Sequence, residues 1–555
     1  MTALELACAN AAATPGGAQW LYVQDIPVRR LVNQLVRKVM AISSAAAFGH
    51  DPGPLEPTSG EALISLRPSS FSEYRAYTIT WSGVAYALGA DLVHNPPYAP
   101  QLVSVQGSVD AVERLSGLVS RAEVLALSWS SRHWETLLPV LEQLGVRGHS
   151  SAVLDLATEP GQRVPNATQG RIGLCRVPAE LLAEVGTIPG AAADRMVPPG
   201  TRTVDVAGHH IHLDRVEHLA TMLLALTAGC TQPSWAAVEA VERWLNARLA
   251  AASPHTVLLS NDISPLGALA VHAAERHGAA TVNVQHGAWT ADAVSRPSLH
   301  SQHLVVMGQR DALLAQEWAR HPKARVHVLG QPRFDALTGS HPVTQRSYLD
   351  GLLPTRGVEG SLRRLVWACQ PFSPERLSAQ ADMIRSGLLA AKDRWALVIA
   401  PHPAQDPAVF EELKHRVAPA PVAVVDTSIG ARGCLAGADA VVSVASTCGL
   451  EAVLLGVPVL ELIRDGDPCL GLAEQGVAAA CSDGDAIAAA LDAGPAAVDQ
   501  SARDSVCYWR GTTSADIAEL VISASHQRSS TPRSEHARPE AAQLGVGEEE
   551  GAHHR

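Results

Sequence analysis

The chain has 555 residues, 47% of them hydrophobic and 18% charged, and a formal net charge of −12 from 43 basic and 55 acidic side chains. That composition excludes a disordered chain and leaves room for two domains of ordinary size plus extra material. The acidic balance gives no support for nucleic-acid binding, which needs clustered positive charge. Nine cysteines stand singly, with no C-x-x-C pair, so a reducing compartment with thiols packed as small hydrophobes is expected. The opening MTALELACANAAATPGG has no basic segment before an apolar core, and no run of about eighteen apolar residues occurs. The expectation is a cytoplasmic protein.

Residues 1–120 read as an N-terminal extension of unknown role. Within it, 26–42 (IPVRRLVNQLVRKVMAI) has Leu31, Val32, Leu35, Val36 and Val39 on one helical face and Arg30, Asn33, Arg37 and Lys38 opposite. Such a helix either docks on its own domain or rests at the periphery of an anionic membrane. From 121 the pattern changes to strand, polar turn, helix: 123–128 then 134–149, 256–262 then 264–278, strands 281–285 and 303–308, helix 311–321 and strand 326–330. This is a first Rossmann-like domain, 121–340. A Pro/Gly-bearing stretch (338–345 and 351–360) reads as a hinge. A second series follows over 341–500: strand 364–370, helix 375–393, strand 395–403, helix 407–417, strands 421–426 and 440–446, helix 448–456 and strand 458–462. A C-terminal helix is expected within 501–525 and a disordered tail over 526–555. The expected fold is α/β, with two doubly wound halves facing a cleft.

Ligands in open α/β sheets bind beyond the carboxyl ends of strands. That rule selects His286 after 281–285, His402-Pro403 after 395–401, Ser446-Thr447 after 440–445, and Arg333 in GQPRFD after 326–330. Hydroxyls and free N–H groups at a helix start suit a phosphate. Glu451, four residues after Thr447 and on the same helix face, can accept from ribose hydroxyls. His402 can donate to a phosphate oxygen, and a histidine such as His286 titrates where a general base is useful. Each has a plainer reading: helix cap, turn residue, core hydrogen bond, solvated face. Their joint placement at strand ends of two successive units favours the functional one. The cluster 208–214 (GHHIHLD) puts His210 and His212 on one face of a strand, but no further ligand follows at a familiar spacing, so no metal is expected. P-loop and G-x-G-x-x-G patterns are absent.

The set QHG (285–287), GQPRFD (330–335), APHP (400–403) and STCGLEAVLLGVPVLEL (446–462) resembles the GT-B glycosyltransferases of bacterial surface and capsular polysaccharide synthesis. It is similar to polysialyl- and Kdo-transferases and to CDP-glycerol glycerophosphotransferases, over about 121–500. The resemblance implies a GT-B fold with an N-terminal acceptor domain and a C-terminal donor domain. It implies transfer from a CMP- or UDP-linked sugar to a glycan or lipid-linked acceptor, with no cofactor and no metal. Carried over, it makes His402, Ser446 and Thr447 holders of the donor nucleotide and phosphates, Arg333 a source of charge, and His286 an acid/base group. The acidic-acidic-glycine base motif of the polysialyltransferases is not evident, and Asp262 in SND is the other candidate base. Three alternatives stay open: a CDP-glycerol-type polyol-phosphate transferase, an isomerase like the UDP-N-acetylglucosamine 2-epimerases, which share E-A-x-x-x-G-x-P-V (451–459), and a non-catalytic sugar-nucleotide-binding protein.

Overall fold

A computed structural model describes residues 22–23, 26–27, 121–128, 131–155, 172–176, 203–206, 209–212, 235–263, 265–289, 299–353, 362–370, 372, 374–392, 394–402, 407–464, 469–494 and 498–529. Most of the 26–42 segment and 530–555 lie outside them.

The first sheet is built from β1 (Val124–Ser128), β2 (Ser151–Asp155), β3 (Ile172–Arg176), β4 (Thr256–Leu259), β5 (Ala280–Val284), β6 (His303–Val306) and β7 (Arg325–Val328). They run parallel in the order β7-β6-β5-β4-β1-β2-β3. Strands β1, β2, β4, β5 and β6 are buried at every position, which is why they read as near-continuous apolar runs such as VLALS and TVLL. Helices α1 (Ser131–Val146), α2 (Trp235–Ala252), α3 (Pro265–Arg276) and α4 (Gln309–Trp318) accompany them. Trp134, Leu137, Leu141 and Leu144 repeat at helical spacing along α1, and all are buried. Helix α5 (Pro342–Leu352) stands where a hinge was expected. Its Leu349 packs with Val366, Val398 and Val441 of the second sheet, so the Gly and Pro residues there punctuate a helix that belongs to the second half.

The second sheet contains β8 (Arg363–Ala368), β9 (Trp395–Ala400), β10 (Val422–Val424), β11 (Ala440–Ser443), β12 (Val459–Leu462) and β13 (Ala479–Cys481), with α6 (Pro374–Ala390), α7 (Pro407–Val417), α8 (Thr447–Leu454) and α9 (Gly484–Ala493). The order is β10-β9-β8-β11-β12-β13, again all parallel. Each sheet therefore reverses its winding at one place, beside β1/β4 and beside β8/β11. Those are the crevices where doubly wound sheets take ligands. The architecture is the expected two-domain, GT-B-like α/β fold.

The chain then returns to the first half through α10 (Gln500–Val506) and α11 (Thr513–Ser529). Residues 526–529, expected in the tail, are helical. Ile517, Ala518 and Val521 of α11 enter the core made by Trp134, Leu137 and Leu258. Asp335 caps α11, accepting from Ser514 N at 2.8 Å and Thr513 N at 3.2 Å, with its charge at the positive end of the helix dipole. Gly330 permits the crossing: its φ is +92°, and an added Cβ would lie 2.1 Å from the Tyr508 carbonyl oxygen. Gly330→Ala is expected to destabilise the protein by about 2–5 kcal/mol from left-handed strain and overpacking together, measured by urea unfolding. No helix among the described residues is long and apolar enough to cross a membrane.

At the sheet edge, His303 of β6 and His327 of β7 stack at 5.3 Å, with Nδ1 and Nε2 3.1 Å apart. Burial, helped by the neighbouring His327, Arg325 and His321, pushes His303 down to about 4, and His327 is lowered by burial and Arg325. The unfolded chain, whose imidazoles titrate near about 6.5, therefore binds more protons than the native one between there and about 4. Their contribution to stability is whole above the unfolded value and is lost as the pH falls through that window. His303→Leu should flatten the decline in unfolding free energy between about pH 7 and 4.5.

Candidate functional site

The carboxyl ends of the two sheets meet at one junction. On the first side, His286 directly follows β5. Its Nδ1 lies 2.6 Å from the Ser260 carbonyl oxygen. A carbonyl only accepts, so Nδ1 carries the proton and Nε2 is left as the acceptor of the neutral ring. The edge of the buried His133 ring packs on it, centroids 5.4 Å apart. Burial, reinforced by His286 and Arg132, holds His133 well below the usual histidine range. The backbone around His286 is pinned by its neighbours. The Gln285 amide donates to Asp311 at 2.7 Å, Met307 N donates to Gln285 Oε1 at 2.9 Å, and the Gln331 amide donates to the Gln285 carbonyl at 2.6 Å. The QHG and GQPRFD motifs are thus one structure.

On the second side, Ser446 caps α8, its hydroxyl accepting from Cys448 N at 3.2 Å. Thr447 begins the helix, and its hydroxyl accepts from Ala288 N across the junction at 3.4 Å. The loop carrying His286 therefore faces the start of α8. Gly449 lets this turn sit against β11, since a Cβ there would be 2.8 Å from Ser443 Oγ. Ser446→Ala should cost about 1 kcal/mol of stability through loss of the cap, read by thermal unfolding. His402, after β9, meets Arg132 in the first turn of α1, with Nε2 3.0 Å from the guanidinium. Because arginine only donates, His402 Nε2 is the acceptor and the proton of the neutral ring is on Nδ1. Strand β8 lies between the strands that carry His402 and Ser446. Pro403 lies outside the described residues.

Arg333 and Glu451 meet in a cluster of four charges. Glu451, 1% exposed at its side chain, receives Arg432 Nε at 3.0 Å on both oxygens and lies 3.5 Å from Arg333. Glu135 of α1 completes the set, with Oε2 3.0 Å from Arg432 and 3.6 Å from Arg333. Burial opposes the charge on Arg432, but the carboxylates of Glu451 and Glu135 outweigh it and raise its pKa. Arg333 is lowered by burial, with Glu451 opposing and the like charge of Arg432 adding. Glu451 is thus a buried ion-pair partner in this structure, and its oxygens are committed to arginines instead of being open to a ribose.

Asp262 lies just after β4. It is fully buried, and Oδ2 accepts from His300 N and Ser301 N, each at 2.8 Å. Burial raises its pKa, opposed by those hydrogen bonds. Those bonds make it an anchor for the turn at 300–301. Glu461 does the same for 469–473, accepting from Leu470 N and Ala473 N. Arg310 donates to the carbonyls of Trp289 and Leu470 and so ties the two halves together. The sequence reading missed Arg132, His133, Glu135, Arg310 and Arg432. The first three lie in the first two turns of α1, just after β1, the same position after a strand that marked the others, whereas Arg432 lies in a short 3-10 turn with no motif. His209–His212 form a strand paired with Thr203–Val206. Among the described residues, no group of three or more His, Cys, Asp or Glu is arranged to hold a metal.

No family model and no curated protein matches the chain. Among solved structures, it is similar to the UDP-GlcNAc 2-epimerase of Methanocaldococcus jannaschii in complex with UDP-GlcNAc and UDP, at 10% identity and TM-score 0.45, over 72% of this chain and 99% of that one. It is also similar to the UDP-GlcNAc 2-epimerase of Neisseria meningitidis bound to UDP-GlcNAc, at 12% identity and TM-score 0.41, over 73% and 99%. MurG of Acinetobacter baumannii matches at 12% identity and TM-score 0.39, over 72% and 99%.

Proposed function

We propose that the chain is a glycosyltransferase that moves a sugar from a nucleotide-activated donor to a glycan or lipid-linked acceptor, at the junction between its sheets. One observation carries this reading: a capped helix start, Ser446-Thr447, is bonded across the junction to the loop that carries His286, whose Nδ1 donates to the Ser260 carbonyl. The helix start suits the donor's phosphates. Arg132 and His402, joined across the junction, are suited to charge developing on the departing phosphate, and Arg333 lies near. His286 is suited to take the proton of the acceptor hydroxyl as it displaces the nucleotide. The C-terminal half then binds the donor and the N-terminal half the acceptor.

The test is a thermal-shift panel of CMP-, UDP- and CDP-linked compounds, since a ligand bound only by the native state raises its melting temperature. A shift with at least one nucleotide is expected, and none with any would sink the reading. Release of nucleotide is then followed with and without acceptor. A product formed without acceptor identifies the isomerase, and a glycerol-phosphate product the polyol-phosphate transferase.

A further inference from the structure

We propose that Arg333 and Arg432 form an oxyanion-binding pair that Glu135 holds shut, and that the phosphate or carboxylate of a bound ligand takes the place of the Glu135 carboxylate. The proposal rests on the preceding section only for where the ligand lies.

The two carboxylates of the cluster are not equivalent. Glu451 is 1% exposed, and both its oxygens are held by Arg432. Freeing it would strand a buried charge. Glu135 is 45% exposed and makes these contacts through a single oxygen. Exposed ion pairs contribute little, so Glu135 is the partner that leaves at little cost. What it leaves behind is two guanidiniums, one 10% and one 42% exposed, converging on the point where an oxygen anion already sits. Guanidiniums suit such a ligand because several N–H groups can meet a planar carboxylate or a phosphate. Arg333 also has donor capacity to spare: its buried Nε has no hydrogen-bond partner among the described residues. A carboxylate delivered by α1 of the first half to arginines beside the second half makes the site self-occluded until an anion competes.

The experiment is calorimetric titration of the full chain with pyrophosphate, CMP, UDP and glucuronate. It compares the wild type with Glu135→Gln and with Glu142→Gln, an exposed carboxylate on the same helix that removes the same charge without these contacts. Glu135→Gln should tighten at least one oxyanion by roughly two- to fivefold, and Glu142→Gln should leave it unchanged. Pyrophosphate or nucleotide tightening identifies a phosphate as the occupant, and glucuronate tightening a sugar carboxylate. Glu135→Asp, which keeps the charge but shortens its reach, should fall between and serves if the glutamine variant does not fold. Equal affinity in the wild type and Glu135→Gln, equal tightening by Glu142→Gln, or no binding of any of the four anions overturns the proposal. Tighter pyrophosphate with no nucleotide binding would instead keep the occluded pair and sink the transferase reading.

Discussion

Glu451→Ala should destabilise the protein by about 3–5 kcal/mol, more than any other single change at the junction. The substitution leaves two cations facing each other with no buried counter-charge, and Arg333 is only 10% exposed. Glu451→Gln preserves the volume yet still removes the charge, so it should lose most of the same stability. A double variant, Glu451→Met with Arg333→Met, should recover a large part of it, because replacing a buried pair by apolar groups of similar size is often neutral. Urea unfolding of the three proteins tests this. A loss below about 1 kcal/mol for Glu451→Ala would mean that water reaches the cluster and solvates both arginines.

On the proposed transferase reading, His286→Ala should lower the rate of transfer by about two to four orders of magnitude, the usual contribution of a positioned general base, while donor affinity changes far less. The split matters. A histidine that merely holds the turn to Ser260 would shift affinity and stability together with rate, whereas a base removes turnover at saturating donor. The pH profile adds an independent readout, since the acidic limb of the rate should disappear with the imidazole. Rates for the wild type and variant at saturating donor, across about pH 5 to 9, decide the question.

The core strands were legible because a parallel sheet covered on both faces needs continuous apolar runs, and TVLL and WALVIA can hardly be anything else. Strand β2 was missed although SAVLD is as apolar, because it is short and no helical pattern was read directly after it. Helix α5 was hidden by glycines and prolines that punctuate its ends. The strand-end rule picked out His286, His402, Ser446 and Thr447, and hydrogen bonds across the junction join Thr447 to the loop that carries His286 and His402 to Arg132. Asp262, the other candidate base, is instead engaged with the backbone of 300–301: position near a strand end does not say which way a side chain folds. The pairing of Glu135 with Arg432 was beyond reach for another reason. The two are 297 positions apart, and no local pattern links groups whose only relation is that two sheets bring them together.

The return of α11 to the first half bears on how the molecule is made. Trp134 and Leu137 wait for Ile517 and Val521, which leave the ribosome almost four hundred residues later. Until then the nascent first sheet carries an uncovered greasy face, at the stage when a growing chain is most exposed to misassembly. A holding chaperone during synthesis, and aggregation of any product terminated before about residue 513, are the expected signs of a fold that is completed from its far end.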